Sequence, residues 1–287
     1  GPAPGGRITG RSWNGSNRTR EVWVDTVATG LAMCSSARRT HPRNIRSSAC
    51  AVKAFLLAAG IGSRLRPLTD RVPKCLVPVA GEPLLERWFR ELLRVGVKDV
   101  LVNTHHLAEA VQRYVQTRPD DGLVVHLAHE PRLLGSAGTV REHRGFVQGE
   151  KAFFIVYADN LTDVRLDHML AFHRDRGSRF TMGVFDTSEP GECGIATLDR
   201  DGRVISFVEK PRQPQGSLAN AGLYISDPTI VDAIPDRTPT DFGHDVLPGL
   251  VGHMYGYPIR GFFRDLGTPE RLESARAHWA GRERVRP

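Results

Sequence analysis

Residues 54–58, AFLLA, are apolar at every position, and two glycines, Gly60 and Gly62, follow closely. A strand without polar residues is covered on both faces, as strands are in the interior of a parallel sheet. If one face met water, apolar and polar residues would be expected to alternate along the strand. The glycines predict a tight loop at the carboxyl end of this strand. The chain is therefore expected to form a parallel sheet between two layers of helices.

The segments that follow repeat the alternation of buried strand and helix. Pro83 can begin a helix whose apolar face continues to Leu93, and Gly96 can end it. Further strands are predicted over residues 99–102, 123–127 and 152–157, with helices over 108–116 and 139–146. The sequence thus predicts an α/β fold: a doubly wound, Rossmann-like, mixed but mostly parallel sheet with helices on both faces.

The pattern changes after Gly177. Strands over 180–185, 195–198, 204–209 and 223–225 are separated by turns, and Asp201-Gly202 is typical of a β-hairpin. Antiparallel pairs are therefore expected within the sheet, and a last helix over 269–279 closes it. Nothing divides residues 51–287 further, so we interpret them as a single domain.

The net charge of +7 is concentrated at the start of the chain. Residues 1–50 hold eight arginines against Glu21 and Asp25, a net charge of +6, which leaves a near-neutral remainder. We interpret residues 1–50 as a basic, flexible N-terminal arm, and the near-neutral body argues against a nucleic-acid partner. Nucleic-acid binding through the arm is one hypothesis, with Trp13 and Trp23 as its aromatic residues for base stacking.

Hydropathy and cysteine usage suggest the cellular setting. No apolar run approaches the roughly 18 residues of a membrane span, and residues 1–50 lack the apolar core of a secretory signal. The four cysteines have scattered spacings that fit neither a zinc site nor a disulfide framework. A reduced, cytoplasmic protein with no membrane partner is expected.

The loop after the first strand has the composition of a phosphate-binding loop. Ligands of open α/β sheets bind beyond the carboxyl ends of the strands, where glycines let backbone N–H groups approach phosphate oxygens. Arg64 adds a planar donor fork and Lys74 a compact positive charge. A plain turn is the structural alternative. A dinucleotide-binding loop fits less well, because Arg64 and Leu65 stand where its third glycine is needed.

Longer motifs define a more specific pattern. Residues 57–69 read LAAGIGSRLRPLT and 73–79 read PKCLVPV; EP at 130–131, GSAGT at 135–139, ADN at 158–160, EKP at 209–211, NAGLY at 220–224 and DLGTPE at 265–270 follow. This pattern resembles the sugar-1-phosphate nucleotidyltransferases, also called sugar nucleotide pyrophosphorylases, over residues 53–279. The resemblance implies the fold of the nucleotide-diphospho-sugar transferases. It also implies transfer of a nucleoside monophosphate from a nucleoside triphosphate to a sugar 1-phosphate, with release of pyrophosphate.

The resemblance further implies roles for particular residues. Arg64, Lys74 and Asp159 are expected to be catalytic. Asp159 and Asp265 are expected to hold Mg²⁺, the implied cofactor, which favours a few carboxylates together with substrate phosphates. The expected nucleotide-binding residues are Ala59, Gly60, Gly62, Ser63, Glu130, Gly135 and Gly138, and the expected sugar-phosphate-binding residues are Gly194, Glu209, Lys210 and Asn220.

Glu130 bears on the choice of nucleotide. A carboxylate accepts two hydrogen bonds, and guanine presents two adjacent donors, whereas uracil and thymine present one N–H between two carbonyls. The segment also resembles mannose-1-phosphate and heptose-1-phosphate guanylyltransferases, so GTP with a mannose- or heptose-type sugar is favoured. Alternatively, Glu130 caps a loop and leaves base selection to the backbone. A UTP- or dTTP-dependent enzyme, acting for example on glucose or N-acetylmuramate 1-phosphate, is then the other candidate.

A homologue that senses nucleotide sugars without turnover is a further hypothesis. Such a protein is expected to have lost phosphate- or metal-binding residues, yet Arg64, Lys74, Asp159 and Asp265 are all present. The identity of the sugar and a homo-oligomeric state are left open by the sequence.

Overall fold

The computed structural model describes residues 52–283, so the predicted arm over residues 1–50 lies outside the described residues. The strands are β1 (Lys53–Leu57), β2 (Pro78–Val79), β3 (Glu82–Pro83), β4 (Asp99–Thr104), β5 (Val124–His129), β6 (Phe153–Tyr157), β7 (Asn160–Thr162), β8 (Phe180–Asp186), β9 (Gly194–Leu198), β10 (Val204–Glu209), β11 (Leu218–Ser226), β12 (Tyr255–Pro258) and β13 (Phe263–Asp265). The α-helices are α1 (Leu84–Arg94), α2 (Ala108–Thr117), α3 (Ser136–Glu142), α4 (Leu166–Asp175) and α5 (Pro269–Glu283). None of these helices is long and apolar enough to cross a membrane.

A nine-stranded mixed sheet forms the centre of the fold. β5, β4, β1 and β6 are parallel neighbours in that order, and β11 pairs antiparallel to β6. β8 lies antiparallel to β11, β12 is parallel to β8, and the β9–β10 hairpin joins β11 through Ile195 and Ala219. The parallel first half and the antiparallel pairs of the second half agree with the prediction.

Separate hydrophobic cores cover the two faces of the sheet. On one face, Leu56 and Phe154 pack with side chains of α1, α2 and α4, including Trp88. On the other face, Phe55 and Ile155 pack with α3 and with later segments that include short 3₁₀ helices and a π-helix, Phe242–Val246. Because neighbouring residues of β1 and of β6 enter opposite cores, both strands are buried on two sides. The doubly wound, Rossmann-like fold with helices on both faces is therefore confirmed.

The largest difference from the prediction is α4, which lies where no element was predicted. Its buried residues are Leu166, Met169, Leu170 and His173. Their spacing suits one face of a helix, but charged residues surround them and a histidine takes the fourth position. The apolar signal is correspondingly weak, and packing against the sheet decides the conformation.

Two boundaries also differ from the prediction. β11 covers nine residues, where only residues 223–225 were predicted. Asn220 and Gly222 interrupt its apolar pattern, and the pairing with β8 changes register between Asn220 and Tyr224. Hydrogen bonding to the neighbouring strands β8 and β9 nonetheless keeps residues 218–220 in the strand, although asparagine and glycine have a low preference for strands. The predicted helix over 139–146 begins earlier, at Ser136, and gives way to a 3₁₀ turn, Arg144–Val147.

Candidate active site

The carboxyl ends of β1, β4 and β6 meet at one edge of the sheet and form a cavity of about 230 Å³. Strand register explains why they meet, because Leu57 pairs with Asn103 on one side and Tyr157 on the other. The lining consists of Leu57, Ala58, Ala59, Gly60, Lys74, Cys75, Asn103, Glu130, Leu133, Gly135, Ser136, Tyr157 and Asp159. The structure thus brings together six of the predicted residues, which are Ala59, Gly60, Lys74, Glu130, Gly135 and Asp159.

Lys74 contacts two carboxylates beside this cavity. Its Nζ donates to Asp159 Oδ2 at 2.5 Å and to Asp265 Oδ1 at 3.3 Å. The residue is 8% exposed. Burial acts to lower the pKa of Lys74, but the charges of the two carboxylates outweigh it and raise this pKa above its ordinary value. The ammonium therefore stays charged at neutral pH at the edge where substrate phosphates are expected.

A short antiparallel pair brings the two aspartates together. β13 pairs with β7, which places Asp265 opposite Asn160, the residue after Asp159. The N–H of Leu266 also donates to the carbonyl oxygen of Asp159 at 3.1 Å. The motifs predicted each aspartate separately, and this pairing is the reason that one lysine contacts both.

The two carboxylates fit a magnesium ion. Both are bonded to the same ammonium nitrogen, so their oxygens converge on one position at which positive charge is already stabilised. Within the described part of the chain, no group of three or more His, Cys, Asp or Glu side chains could hold a metal ion. Mg²⁺ commonly takes one or two protein carboxylates and completes its ligands with substrate phosphates and water. Asp159 and Asp265 are the residues that would hold it, together with substrate.

Arg271, which the motifs did not single out, also binds Asp265. Its Nη1 donates to Asp265 Oδ2 at 2.6 Å, and its Nη2 donates to Glu189 Oε2. Glu189 belongs to the loop between β8 and β9, which ends at Gly194. The guanidinium therefore links the predicted metal ligand to the loop of the predicted sugar site. A sequence signal existed, because Arg271 directly follows the matched segment over 265–270.

Glu130 lies in a buried hydrogen-bond network and is 2% exposed. Its Oε1 accepts from Asn103 Nδ2 at 2.8 Å and from Thr139 Oγ1 at 2.5 Å, and its Oε2 accepts from the N–H of Leu134 at 3.0 Å. Asn103 Oδ1 in turn accepts from the N–H of Ala58 at 2.6 Å. Glu130 thus caps the loop over 131–134, as in the alternative interpretation of the sequence. Its contact with a base edge stays a prediction.

The backbone of the first loop requires a glycine at position 62 but not at position 60. A Cβ on Gly60 would meet no atom within 4 Å, so the fold itself leaves room for a side chain there. Gly62 has a φ of 67°, and a Cβ would lie 2.9 Å from Thr69 Cγ2, so the turn requires a glycine. Gly60 lines the cavity. The space beside it is therefore available for a ligand to approach the backbone.

Ser63 and Arg64 are exposed residues of the 3₁₀ turn Ser63–Leu65, outside the cavity lining. A Cβ on Gly267 would lie 2.9 Å from Arg64 Nη2 and 2.8 Å from Asp265 Oδ2. Gly267 therefore lets the guanidinium of Arg64 approach the second carboxylate. The predicted catalytic residues Arg64, Lys74 and Asp159 are consequently brought to one region around Asp265.

The predicted nucleotide loop contacts the segment that precedes a π-helix, Phe242–Val246. Gly135 has a φ of 83°, and a Cβ on it would lie 2.3 Å from the carbonyl oxygen of Thr240. The N–H of Gly138 donates to the same oxygen at 3.1 Å. Ser136 Oγ donates to Asp241 Oδ2 at 2.7 Å. Asp241 caps the π-helix, because its Oδ1 accepts from the N–H of Gly243 at 2.8 Å.

Glu209, at the end of β10, lies between two glycines. A Cβ on Gly194 would lie 2.4 Å from Glu209 Oε2, and a Cβ on Gly243 would lie 2.5 Å from it. Burial raises the pKa of Glu209 above its ordinary value, and the charge of His244 opposes this only in part. The structure therefore brings the predicted sugar residues Gly194 and Glu209 into contact, with Gly243 as a neighbour that the motifs did not identify.

The remaining predicted sugar residues lie nearby. Lys210 has a φ of 44°, an uncommon conformation for a residue with a side chain, and its N–H donates to the carbonyl oxygen of Cys193 at 3.0 Å. Asn220 Nδ2 donates to Tyr224 Oη at 2.8 Å. The Tyr224 ring lies 6.1 Å from that of Tyr157, which lines the cavity. The cavity lining includes none of the four predicted sugar residues, Gly194, Glu209, Lys210 and Asn220. Asn220 is linked to the lining through Tyr224 and Tyr157.

The chain resembles known nucleotidyltransferases in sequence. A protein-family model described as nucleotidyl transferase matches residues 53–281. Mannose-1-phosphate guanylyltransferase catalytic subunit beta of Danio rerio is 33% identical over 224 residues, which make up 76% of this chain and 62% of that protein. The chain therefore spans less than two thirds of the length of this relative.

Two solved structures are similar in fold. HddC of Yersinia pseudotuberculosis, solved with GMP-PN, has a TM-score of 0.67 and 24% identity, and the match covers 79% of this chain and 99% of that one. A Bacillus anthracis protein assigned as a glucose-1-phosphate thymidylyltransferase, solved with sucrose, has a TM-score of 0.70 and 22% identity, covering 79% and 95%. At this identity the two structures support the fold alone.

Proposed function

Because the chain belongs to the nucleotidyl transferase family, we propose that it transfers a nucleoside monophosphate from a nucleoside triphosphate to a sugar 1-phosphate and releases pyrophosphate. The observation that carries this proposal is the contact of Lys74 with Asp159 and Asp265 beside the glycine loop. An ammonium and two carboxylates at the carboxyl ends of parallel strands are groups suited to phosphoryl chemistry.

In the proposed reaction, an oxygen of the sugar phosphate attacks the α-phosphorus of the triphosphate. A new P–O bond forms on the side opposite the bond to pyrophosphate, which breaks, and pyrophosphate leaves with the bonding electrons. No general base is needed, because the sugar phosphate is already an anion near neutral pH. The protein therefore contributes mainly positioning and neutralisation of charge.

On the nucleotide side, Lys74 neutralises charge at the α-phosphate and Arg64 at the departing pyrophosphate. Asp159 and Asp265 hold Mg²⁺, which when bound supplies further neutralisation of phosphate charge. Gly60 leaves room for the phosphates to reach the backbone. Lys74 is buried beside the cavity, whereas Arg64 is exposed outside its lining. The two cations therefore act at different parts of the triphosphate in this proposal.

On the sugar side, Glu209 accepts hydrogen bonds from sugar hydroxyls and Lys210 pairs with the sugar phosphate. Asn220 and the backbone at Gly194 bind the remaining hydroxyls. The contact of Glu209 with Gly194, and the short link from Lys210 to Cys193, support a shared subsite. This subsite lies outside the cavity lining, as expected for a second substrate that binds beside the nucleotide.

We favour GTP and a mannose- or heptose-type sugar 1-phosphate as substrates. The Danio rerio relative is named for mannose-1-phosphate guanylyl transfer. UTP or dTTP is the second candidate. It is supported by the three hydrogen bonds that occupy Glu130 within the protein, which leave base selection to the backbone of the 135–138 loop.

The test is a matrix of nucleoside triphosphates against sugar 1-phosphates, with pyrophosphate release as the readout and with or without a Mg²⁺ chelator. We expect release only with a matching pair, highest with GTP and mannose or heptose 1-phosphate, and lost on chelation. Lys74→Ala and Asp159→Asn should lower kcat by about 10²-fold or more. Lys151→Ala, which removes an exposed lysine, should not. Full activity of Lys74→Ala, or nucleotide-sugar binding without turnover of any pair, would contradict the proposal.

A further inference from the structure

A second cleft lies at the end of the sheet opposite to the active-site cavity. Ser226 of β11 pairs with Phe153 of β6 and with Phe180 of β8, at the amino end of β6, whereas Asp159 follows its carboxyl end. The cleft has a volume of about 710 Å³, within the range of small-molecule sites. Its lining shares no residue with that of the active-site cavity.

Positively charged side chains form much of the polar lining of this second cleft. They are Arg176, Arg179 and Arg203, with His253 beside them. Arg179 is neutralised, because its Nε donates to Asp227 Oδ2 at 3.2 Å. Within the described residues, the guanidinium groups of Arg176 and Arg203 form no ion pair with a carboxylate. Two positive charges of the cleft are thus left without an acidic partner there.

Both guanidinium groups lie near the Tyr255 ring, and Arg176 is closer to a second ring, that of Phe172, at 5.4 Å. The Cζ of Arg203 lies 4.8 Å from the centroid of the Tyr255 ring, and the Cζ of Arg176 lies 5.7 Å from it. Arg203 also donates to Tyr255 Oη at 2.8 Å and to the carbonyl oxygen of Gly252 at 2.9 Å. A guanidinium has five N–H donors, so most of them stay available on both residues.

An anion bound in the cleft would neutralise these two positive charges. The arginines are already oriented by Tyr255, which lowers the ordering cost of binding. A planar donor fork is matched to the oxygens of a phosphate group. We infer that this cleft is a second ligand site, which binds a small molecule carrying a phosphate group.

The rest of the lining defines the remainder of the ligand. The half-buried side chains of Leu250 and Tyr255 provide apolar surface beside the arginines, and the buried Phe180 and Ile230 lie behind them. The carboxylate of Asp232 also belongs to the lining, but Asp232 is exposed, and it leaves the unpaired arginines in excess. A phosphate ester, whose organic part covers the apolar residues, therefore fits better than inorganic phosphate alone.

The inference is tested by binding, without turnover, so its outcome is independent of the proposed function. Inorganic phosphate and glucose 6-phosphate are the two probes, titrated by calorimetry at constant ionic strength into Lys74→Ala/Lys210→Ala protein, in which the proposed nucleotide and sugar-phosphate subsites are both weakened. We expect one binding event for each probe, with a lower Kd for glucose 6-phosphate than for inorganic phosphate. Equal affinities would assign the site to inorganic phosphate and overturn the ester assignment.

Substitutions then locate the event. Arg176→Gln removes no hydrogen bond of the fold, so it should leave folding intact and weaken binding by roughly tenfold, as loss of a charged hydrogen bond does. Arg203→Gln should also weaken binding, but it removes the hydrogen bonds to Gly252 and Tyr255, so its melting temperature is compared with that of the parent protein. Arg200→Gln, which removes an exposed arginine from the same hairpin, should leave binding unchanged. Binding of neither probe at about 10 mM, well above common metabolite affinities, or binding unaffected by Arg176→Gln, would overturn the inference.

Discussion

Arg271 and Asp265 form an ion pair, with Nη1 at 2.6 Å from Oδ2, and the other Nη of the same guanidinium binds Glu189. Asp265 is also bonded to Lys74 through its second oxygen. Its carboxylate is therefore fixed on both sides, by a lysine at the cavity and by an arginine that reaches the loop before Gly194. Arg271 touches no reacting atom in the proposed reaction, so we propose that it positions Asp265.

Arg271→Gln should lower kcat/KM by about tenfold, the scale of one charge-assisted hydrogen bond. The loss should be accompanied by a higher Mg²⁺ concentration for half-maximal activity and a higher KM for the sugar 1-phosphate. Arg271→Lys should not restore activity, because one ammonium cannot bridge two separated carboxylates with the geometry of a planar fork.

Arg276→Gln, on the same helix, is the matched control, since Arg276 contacts Pro78 and Glu273 away from Asp265. Glu189→Gln should reproduce the sugar effect, and the double variant should show no further loss. If Arg271→Gln changed only the melting temperature, with Mg²⁺ dependence and KM intact, the positioning role would be refuted.

Gly60 and Gly62 should respond differently to alanine. Gly60→Ala adds a Cβ with no atom of the fold within 4 Å, so the free energy of unfolding should change little. The KM for the nucleotide should rise by about tenfold or more, because that Cβ occupies the phosphate approach. Gly62→Ala should lower the free energy of unfolding by about 1–2 kcal/mol, since its φ of 67° is unfavourable for alanine. Urea unfolding and steady-state kinetics measure the two effects, and an unchanged nucleotide KM in Gly60→Ala would count against a phosphate site there.

Gly243→Ala tests Glu209 without removing its charge. The added Cβ would lie 2.5 Å from Oε2, and the flexible end of the glutamate side chain should move away. We expect the KM for the sugar 1-phosphate to rise severalfold while that for the nucleotide stays the same. Gly249→Ala is the control, because a Cβ there meets nothing within 4 Å. Equal effects on both substrates would argue against a sugar role for Glu209.

His173 should make stability depend on pH. It is 4% exposed, and its Nδ1 lies 2.9 Å from Thr181 Oγ1. Burial lowers the pKa of His173 from 6.5 to about 4. The unfolded chain therefore binds this proton at higher pH than the folded chain, and stability is lost as pH falls from 6.5 towards 4.

Between pH 7 and pH 5 this histidine should cost about 2 kcal/mol of unfolding free energy. Urea unfolding at the two pH values measures the difference, which should shrink in His173→Gln. His168→Gln, an exposed residue of the same helix, should keep the full difference. An identical pH dependence in the wild type and His173→Gln would show that other groups cause it.

Several site residues could be predicted because their chemistry is carried by local motifs. Lys74, Asp159 and Asp265 each lie in a short recognisable segment, and the structure places them in mutual contact. Arg271 and Gly243 could not be predicted in the same way. Their importance comes from contacts with Asp265 and Glu209, which lie elsewhere in the chain or require a specific backbone approach.

Glu130 shows a different limit of sequence reasoning. Its carboxylate suits a guanine edge, and the sequence left loop capping as the alternative. In the fold, Asn103, Thr139 and Leu134 supply three donors to it. Which donors a buried carboxylate finds depends on the packing of β4 against α3 and the intervening loop. No local pattern encodes that packing, so the base-reading role stays a prediction.

The sequence by itself determined the class of fold and predicted the chemistry of the site. Apolar strands buried on both faces require helices on two sides, and glycines, a lysine and aspartates at strand ends mark an edge for phosphates. Only the tertiary structure decided that β13 pairs with β7, so that Asp265 meets Lys74 and Asp159. It also placed Arg176 and Arg203 around Tyr255 at the opposite end of the sheet. The physical reason is that strand composition sets burial, whereas contacts between distant segments depend on register and packing across the whole domain.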